Sequence, residues 1–306
     1  MTNLRIIFMG TPEFAVTSLQ KLVESSCNVV AVVTAPDKPA GRGLHFTPSP
    51  VKEYALSQGI SVLQPEKLKN PDFLAELKSY QADLQVVVAF RMLPEVVWNM
   101  PPKGTFNLHA SLLPQYRGAA PINWAIINGE TLTGATTFFL EHEIDTGKII
   151  FQETEPILPD DNVGTLYERL MHKGADLVVK TVAAVGGGDY PQTPQQQSQP
   201  LKTAPKIFKE TCEINWQQPA TNVHNFVRGL SPYPAAWTTL NGKMCKIFKT
   251  AIVHQDMPPT DETYKTDNKT YLHFKTTTGW IAIEELQLEN KKRMTIDEFL
   301  RGYKIA

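Results

Sequence analysis

The sequence predicts an α/β fold: a doubly wound, Rossmann-like and mostly parallel sheet without a dinucleotide motif, followed by a small all-β, OB-like barrel. Three observations predict it. Short apolar runs alternate with stretches of helical period from the N-terminus onward, the pattern of successive βαβ units. The first strand–turn–helix, Met9-Gly10-Thr11-Pro12-Glu13-Phe14, lacks the repeated glycines that let a backbone approach a pyrophosphate. Beyond a Pro- and Gln-rich interruption at 189–205, the pattern changes to short strand-like runs separated by turn residues.

Leu4–Met9 is a continuous apolar run, as a strand buried on both faces requires. Gly10-Thr11-Pro12 predicts a turn, with Pro12 at the first helical position and Thr11 as its cap; Phe14, Leu19 and Leu22 then recur at helical spacing. Val29–Thr34, Ile60–Leu63, Leu84–Ala89 and Thr105–Leu108 predict four further strands. Between and after them, Val51–Gln58 (closed by Gly59), Pro71–Tyr80 and Ala119–Asn128 (stopped by Gly129) predict helices. Ala135–Leu140 and Lys148–Glu153 flank an Asp-Thr-Gly turn as an added hairpin, and a long helix runs from Gly164 to Val185 before three glycines. The segment that follows holds Pro191, Pro194, Gln195 to Gln197, Pro200 and Pro205, which reads as a linker. The expected organisation is therefore an α/β domain over 1–189, a linker over 190–205 and a β domain over 206–306. In the last, Trp237–Leu240, Lys246–Thr250, Tyr271–Phe274 and Trp280–Leu286 are strands, Asn241-Gly242 is a hairpin turn, and a helix lies near Asn222–Leu230.

At 306 residues, 42% hydrophobic and 20% charged, the composition is that of an ordinary soluble globular protein. No apolar run approaches the length of a membrane span, and the stretch after Met1 is too short for a signal peptide. Cys27, Cys212 and Cys245 are few and far apart, which suggests neither a disulfide framework nor a Cys-x-x-Cys metal site and fits a cytoplasmic protein. The net charge of −1 hides an asymmetry: residues 1–199 hold 15 Lys+Arg and 20 Asp+Glu, whereas residues 200–306 hold 15 and 11. A basic C-terminal part can attract phosphate while the whole chain stays near neutral. A chance asymmetry of solvated faces accounts for it equally well.

Two stretches carry chemistry. Asn107 and His109 are two apart on a predicted strand, so their side chains share a face at the carboxyl edge of the sheet, where doubly wound folds place their sites. An amide donor beside an imidazole suits an oxyanion forming on an acyl carbon. The competing reading is that both satisfy backbone groups at a strand end. Glu141-His142-Glu143-Ile144-Asp145-Thr146-Gly147 brings a carboxylate to a turn, where Asp145 can orient a histidine or accept a proton. Asp-Thr-Gly is also a common self-capping turn. A single copy does not make an aspartic-protease pair, and His142, Glu141 and Glu143 lack a recognisable metal-ligand spacing.

Taken together, Asn107-Leu108-His109, Ser111-Leu112-Leu113-Pro114, Gly118 and Asp145-Thr146-Gly147 resemble the signature of the 10-formyltetrahydrofolate-dependent formyltransferases. That family formylates glycinamide ribonucleotide, amino sugars and methionyl-tRNA, and one member hydrolyses the formyl group. The resemblance to the members acting on methionyl-tRNA covers nearly the whole chain. It begins at Phe8-Met9-Gly10-Thr11-Pro12-Glu13-Phe14-Ala15 and includes Pro36-Asp37-Lys38-Pro39-Ala40-Gly41-Arg42-Gly43 and Pro48-Ser49-Pro50-Val51-Lys52. It ends with Leu230-Ser231-Pro232-Tyr233-Pro234-Ala235-Ala236-Trp237.

The resemblance implies Asn107, His109 and Asp145 as the catalytic trio, with Asp145 keeping His109 oriented. It implies Phe90, Arg91, Met92 and Leu93, together with Ser111, Leu112, Leu113 and Pro114, around 10-formyltetrahydrofolate as co-substrate, with no metal. Leu113-Pro114 is expected to be a cis peptide. Initiator methionyl-tRNA is the implied partner. Arg42, in the Pro36–Pro50 loop, and Lys206 and Lys209 are candidates to contact it, alongside Arg228, Lys243, Lys246 and Lys249. Phe14 is a candidate lining for the methionine side chain and equally a core residue. Two departures stand out: Leu44-His45-Phe46 replaces lysines frequent in the family, and Phe90–Pro94 is one residue shorter than in some relatives. The rival readings are a folate-dependent formyltransferase for an amino sugar and a non-catalytic RNA-binding protein. The Pro36–Pro50 loop and the basic C-terminal part argue against the first, the intact trio against the second.

Overall fold

The computed structural model describes residues 4–40, 45–196, 200–253 and 262–305. The chain forms two compact units. The first comprises Met1–Arg117, Gly134–Glu155 and Glu168–Lys202; the second comprises Gly118–Thr133, Pro156–Tyr167 and Thr203–Ala306. Two segments from the expected α/β domain, 118–133 and 156–167, thus cluster with the C-terminal chain.

The elements run in the order β1 (Arg5–Gly10), α1 (Glu13–Glu24), β2 (Asn28–Val33), β3 (Lys38–Ala40), β4 (His45–Thr47), α2 (Pro50–Ser57), β5 (Ser61–Leu63), α3 (Pro71–Ser79), β6 (Leu84–Val88), α4 (Glu95–Trp98) and β7 (Thr105–His109). There follow β8 (Arg117–Gly118), α5 (Pro121–Ile127), β9 (Leu132–Phe139), β10 (Ile149–Pro156) and α6 (Val163–Gly187). The seven-stranded sheet has the order β10-β9-β7-β6-β1-β2-β5. β1 pairs in parallel with both β2 and β6, β2 with β5, and β6 with β7, whereas β9 runs antiparallel to β7. The strand order therefore reverses at β1 and β6, and the carboxyl ends of β1, β6 and β7 lie at the switch point where doubly wound sheets place their ligands. Ile6, Ile7, Phe8 and Met9 are fully buried because the central strand has apolar neighbours on both faces.

Gly10 closes β1 where space is scarce: a Cβ there would lie 2.6 Å from Ala15 Cβ and 2.9 Å from Val88 O. The start of α1 differs from expectation. Pro12 is itself the extended N-cap, with no side-chain cap, and its carbonyl accepts from Ala15 N–H at 2.9 Å. Thr11 does not cap the helix, because the turn is closed by main chain instead. Ser49 and Asn70 do cap α2 and α3 through side-chain oxygens, with proline at the first helical position of each.

In the second unit, β11 (Thr203–Ala204) precedes α7 (Ala220–Leu230), β12 (Ala236–Leu240), β13 (Lys243–Val253), β14 (Tyr264–Thr266), β15 (Leu272–Lys275), β16 (Trp280–Leu288), β17 (Met294–Thr295) and α8 (Ile296–Gly302). The antiparallel sheet runs β12-β13-β16-β15-β14, with β17 on β16. Among the described residues this path is open, so the expected barrel is a half-barrel. Asn241 and Gly242 both have positive φ, 48° and 72°, as a two-residue hairpin turn needs. Val223, Val227 and Leu230 of α7 pack with Ile247, Ile281, Ile283 and Phe299 into one core. Gly229 lets α7 approach α5: a Cβ would sit 2.6 Å from Ile127 Cγ1.

Candidate active site

β7 carries two of the three side chains expected to be catalytic. Alternation along this strand puts Asn107 and His109 on one face, and Asn107 lies in register with Val87 of β6 and Phe138 of β9. Asn107 is half-buried. The His109 side chain is nearly buried, and its Nε2 lies 2.8 Å from the carbonyl oxygen of Tyr116. A carbonyl only accepts, so Nε2 carries a proton and donates it there. Nδ1 is then the nitrogen left for chemistry, and it faces Asp145 Oδ2 at 3.9 Å. That separation exceeds hydrogen-bond length, and the Tyr116 carbonyl anchors the imidazole at Nε2.

The loop after β7 is built from within. Ser111 is buried, and its hydroxyl donates to Gln115 O at 2.7 Å. Thr136, which pairs with His109 on β9, donates to Ser111 O at 2.6 Å and accepts from Leu113 N–H at 3.2 Å. Gln152 donates from Nε2 to Leu113 O and to Thr136 Oγ1, both at 2.9 Å. Leu113-Pro114 is cis, as expected. The Ser111 hydroxyl and the Leu113 side chain face inward, whereas Leu112 and Pro114 are half-buried. Gly134 lies against this loop, for a Cβ there would meet Leu112 Cδ2 at 2.6 Å.

Residues 4–182 match the model of the formyl transferase family, and residues 206–304 match that of the formyl transferase C-terminal domain. The chain belongs to the formyl transferase family. It is 55% identical over 312 residues to the methionyl-tRNA formyltransferase of Parabacteroides distasonis, covering 99% of this chain and 96% of that one. To the methionyl-tRNA formyltransferase of Bacteroides fragilis it is 54% identical, with the same coverage. Solved structures share the fold at lower identity. HypX from Aquifex aeolicus in complex with tetrahydrofolic acid gives a TM-score of 0.67 at 20% identity, over 100% of this chain and 49% of that chain. An N-formyltransferase from Helicobacter canadensis, in complex with folinic acid and dTDP-3-aminofucose, gives 0.66 at 19%, over 95% and 100%.

The remaining expected site residues of this formyl transferase fall into different settings. Arg91 turns its guanidinium onto the backbone, donating from Nη1 to Glu66 O at 2.8 Å and from Nη2 to Pro65 O. Its cation also lies 5.6 Å from the Phe90 ring, and burial lowers its pKa. It braces the 65–66 segment. Leu93 is buried in the core with Val97 and Phe73, and Phe90 packs against that core, while Met92 is exposed. From this stretch the groups left for a ligand are the main chain and the Met92 side chain. Phe14 is buried.

The base of the Pro36–Pro50 loop is the hairpin β3–β4, with Lys38 opposite Thr47. Asp37 accepts from Lys52 Nζ at 2.6 Å and from Gln64 Nε2 at 2.8 Å, and these bonds hold its carboxyl below the usual carboxylate range. Phe46 is exposed. Arg42 and Leu44 lie outside the described residues, as does the His45 side chain.

Lys206 and Lys209 line a groove of about 460 Å³ in the second unit together with Lys246, Phe208, Tyr233 and Trp237. Tyr233 is 82% and Phe208 53% exposed, so aromatic rings and cations share one concave surface. Arg228 departs from the expected tRNA track: its guanidinium donates to the carbonyls of Leu158, Pro159 and Asp161. Lys249 pairs with Glu284 at 3.0 Å. His142 stands apart from His109, exposed beside Glu95 and the Trp98 ring. Among the described residues there is no group of three or more His, Cys, Asp and Glu placed to hold a metal ion, and no helix is long and apolar enough to cross a membrane.

Sequence reasoning did not pick out Tyr116, Thr136, Gln152 or Gln195. Thr136 and Thr137 are polar and fully buried in β9, where Thr133 is also buried. That polar pair within a strand was the available signal. Tyr116 acts through its carbonyl, which no sequence pattern marks.

Proposed function

We propose that this formyl transferase moves the formyl group of 10-formyltetrahydrofolate onto the amino group of initiator methionyl-tRNA. The observation that carries the chemistry is the setting of His109: Nε2 is committed to a carbonyl, and Nδ1 faces a carboxylate, with Asn107 on the same face of the strand. The likeness to methionyl-tRNA formyltransferases over 99% of the chain supports the acceptor.

The residues divide the work as follows. The acceptor amine attacks the formyl carbon and a C–N bond forms. Asn107 Nδ2 donates to the oxyanion that develops there, a kind of contact whose loss typically costs about 10²–10³ in rate. His109 Nδ1 takes the proton released by the amine, and Asp145 stabilises the resulting imidazolium across a short gap. The proton then passes to N10 of the departing tetrahydrofolate as the second C–N bond breaks. The 111–114 loop, held by Thr136 and Gln152, forms a wall of the folate site, and backbone groups of 90–93 complete it. Lys206, Lys209 and Arg42 contact the tRNA, and Phe14 lines the methionine pocket. The co-substrate arrives already activated, so no covalent enzyme intermediate is required. The three free cysteines fit a cytoplasmic setting.

The deciding experiment offers labelled 10-formyltetrahydrofolate with initiator methionyl-tRNA, free methionine and an amino-sugar nucleotide as parallel acceptors. Label on the tRNA alone is expected. Label on the sugar, or release as formate, overturns the acceptor assignment.

A further inference from the structure

The segment read from composition as a plain linker returns to the catalytic loops. Thr193 pairs with Ile149 through two backbone hydrogen bonds of 2.8 and 2.9 Å. Two residues on, the Gln195 amide enters the turn that carries Asp145. Its Nε2 donates to the carbonyls of Asp145 and Gly147, both at 2.9 Å. Its Oε1 accepts from Nε and Nη2 of Arg117 at 3.1 and 2.6 Å. Farther along, Lys202 O accepts from Tyr116 N–H at 2.7 Å, and Tyr116 O is the anchor of His109. One short stretch of chain thus reaches the backbone on both sides of the His109–Asp145 pair.

We propose that Gln195 is a positioning residue for formyl transfer: by bridging Arg117 to two carbonyls of the 145–147 turn, it holds the Asp145 carboxylate toward His109 Nδ1. The inference rests on the formyl-transfer reading of this site.

Three physical points carry it. Asp145 has φ +55°, a left-handed conformation that a non-glycine residue keeps only when its surroundings over-determine it. A primary amide offers two N–H vectors, and here they meet the two carbonyls that flank the turn. Arg117 settles which way the amide lies. Both guanidinium donors point at one atom, which must be the oxygen, so the nitrogen faces the carbonyls. Glutamate is the telling replacement. It preserves, and by charge strengthens, the contact with Arg117. It also turns an acceptor oxygen toward two carbonyl oxygens, so the turn loses its clamp. If Gln195 only anchored Arg117, glutamate would serve at least as well.

The test is Gln195→Glu in the full-length protein, alone and combined with Asp145→Asn. The expected result is a kcat lower by about 10- to 100-fold, the scale of loss when a catalytic group is misplaced by about 1 Å. KM for both substrates and the melting temperature stay near wild type. In the Asp145→Asn background the same change costs less than about threefold more, because the group through which Gln195 acts is already gone. A crystal structure of Gln195→Glu, which needs no substrate, shows Asp145 Oδ2 farther from His109 Nδ1 than the present 3.9 Å. Wild-type kcat in Gln195→Glu overturns the proposal. So does a loss that multiplies in full with Asp145→Asn, or an unmoved Asp145 in the crystal. Should Gln195→Glu not fold, Gln195→Ala carries the same cycle. A wild-type enzyme that transfers formyl to another acceptor, or to water, defeats the functional reading instead, and the variant structure still decides this one.

Discussion

Replacing Arg228 separates a structural strut from a nucleic-acid contact. Its Nη1 donates to the carbonyls of Leu158 (3.2 Å), Pro159 (3.2 Å) and Asp161 (2.9 Å), and its Nε donates to Asn225 Oδ1 at 3.0 Å. Burial lowers the pKa of the guanidinium, while Asp161 and Asp160 oppose that shift. Arg228→Ala leaves these acceptors without their donor. A hydrogen bond from a charged group contributes about 1.5–3 kcal/mol, and the group is only half out of water, so the low end applies. Two N–H directions on Nη1 and one on Nε then give about 4.5 kcal/mol in all. For a unit of this size that corresponds to a melting temperature lower by roughly 15 °C. Lysine restores the charge but not the planar fork, so Arg228→Lys recovers less than half of the loss. Differential scanning calorimetry measures both. In parallel, titrating methionyl-tRNA against salt reads whether a phosphate contact has gone, since each one contributes about 0.9 to the logarithmic slope on duplex nucleic acid. The expected outcome is a large thermal effect and an unchanged slope. An unaltered melting temperature with a shallower slope would refute the assignment and return Arg228 to the tRNA surface.

Other sites yield equally direct outcomes. Asn107→Ala should lower kcat by about 10²–10³ while tetrahydrofolate binding, read by fluorescence titration, stays within about threefold; equal loss of both makes Asn107 structural. Gly147→Ala would place a Cβ 1.7 Å from Phe139 O, so the turn must open, and the predicted result is a kcat about 100-fold lower with a reduced melting temperature; wild-type kinetics would show that the turn's position is unimportant. Lys206→Gln and Lys209→Gln should each reduce the salt slope of tRNA binding by about one, and an unchanged slope removes that residue from the interface. Burial pushes the Glu155 carboxyl up, but the hydrogen bonds from Lys173 and Arg169 outweigh it and hold the group below its ordinary 4.5. A depressed carboxyl contributes stability above its unfolded pKa and loses it as pH falls through the folded one, so Glu155→Gln should flatten stability below about pH 4.5; an unchanged acid limb in urea titrations contradicts the linkage.

The fold was legible wherever burial imposes a pattern. β1 reads as an unbroken apolar run and β6 as one interrupted only by Gln85, and the boundaries of β1, β6 and β7 fall within a residue or two of expectation. The Asn241-Gly242 hairpin was legible because only such a pair adopts two positive φ values cheaply. What escaped was pairing without a composition signal. Residues 190–205 offer little apolar surface, so a periodicity argument sees a spacer, yet Thr193 needs only its own N–H and C=O to bond Ile149. The Thr11 cap failed for a related reason: a main-chain bond from Ala15 to Pro12 closed the turn, and no side chain was required.

The same asymmetry runs through the candidate site and explains why the side chains expected to do chemistry stand out in the sequence while the groups that hold them do not. Groups that meet a substrate must be particular side chains, because only an amide, an imidazole or a carboxylate supplies the needed donor, base or charge. Groups that hold them can be any carbonyl. His109 is fixed by Tyr116 O, the Ser111 loop by its own carbonyls on Thr136 and Gln152, and the Asp145 turn by two carbonyls on Gln195. Since every residue carries a carbonyl, substitution at Tyr116 is free to change the ring without changing the anchor, whereas substitution at Thr136, Gln152 or Gln195 removes the side chain that does the holding. Tyr116→Phe should therefore leave His109 and the rate of transfer unaltered, while Thr136→Val strips the hydroxyl from Ser111 O and Leu113 N–H at once. A kcat lowered by Tyr116→Phe as much as by Thr136→Val would mean that the phenol, and not the backbone, is what sets the histidine.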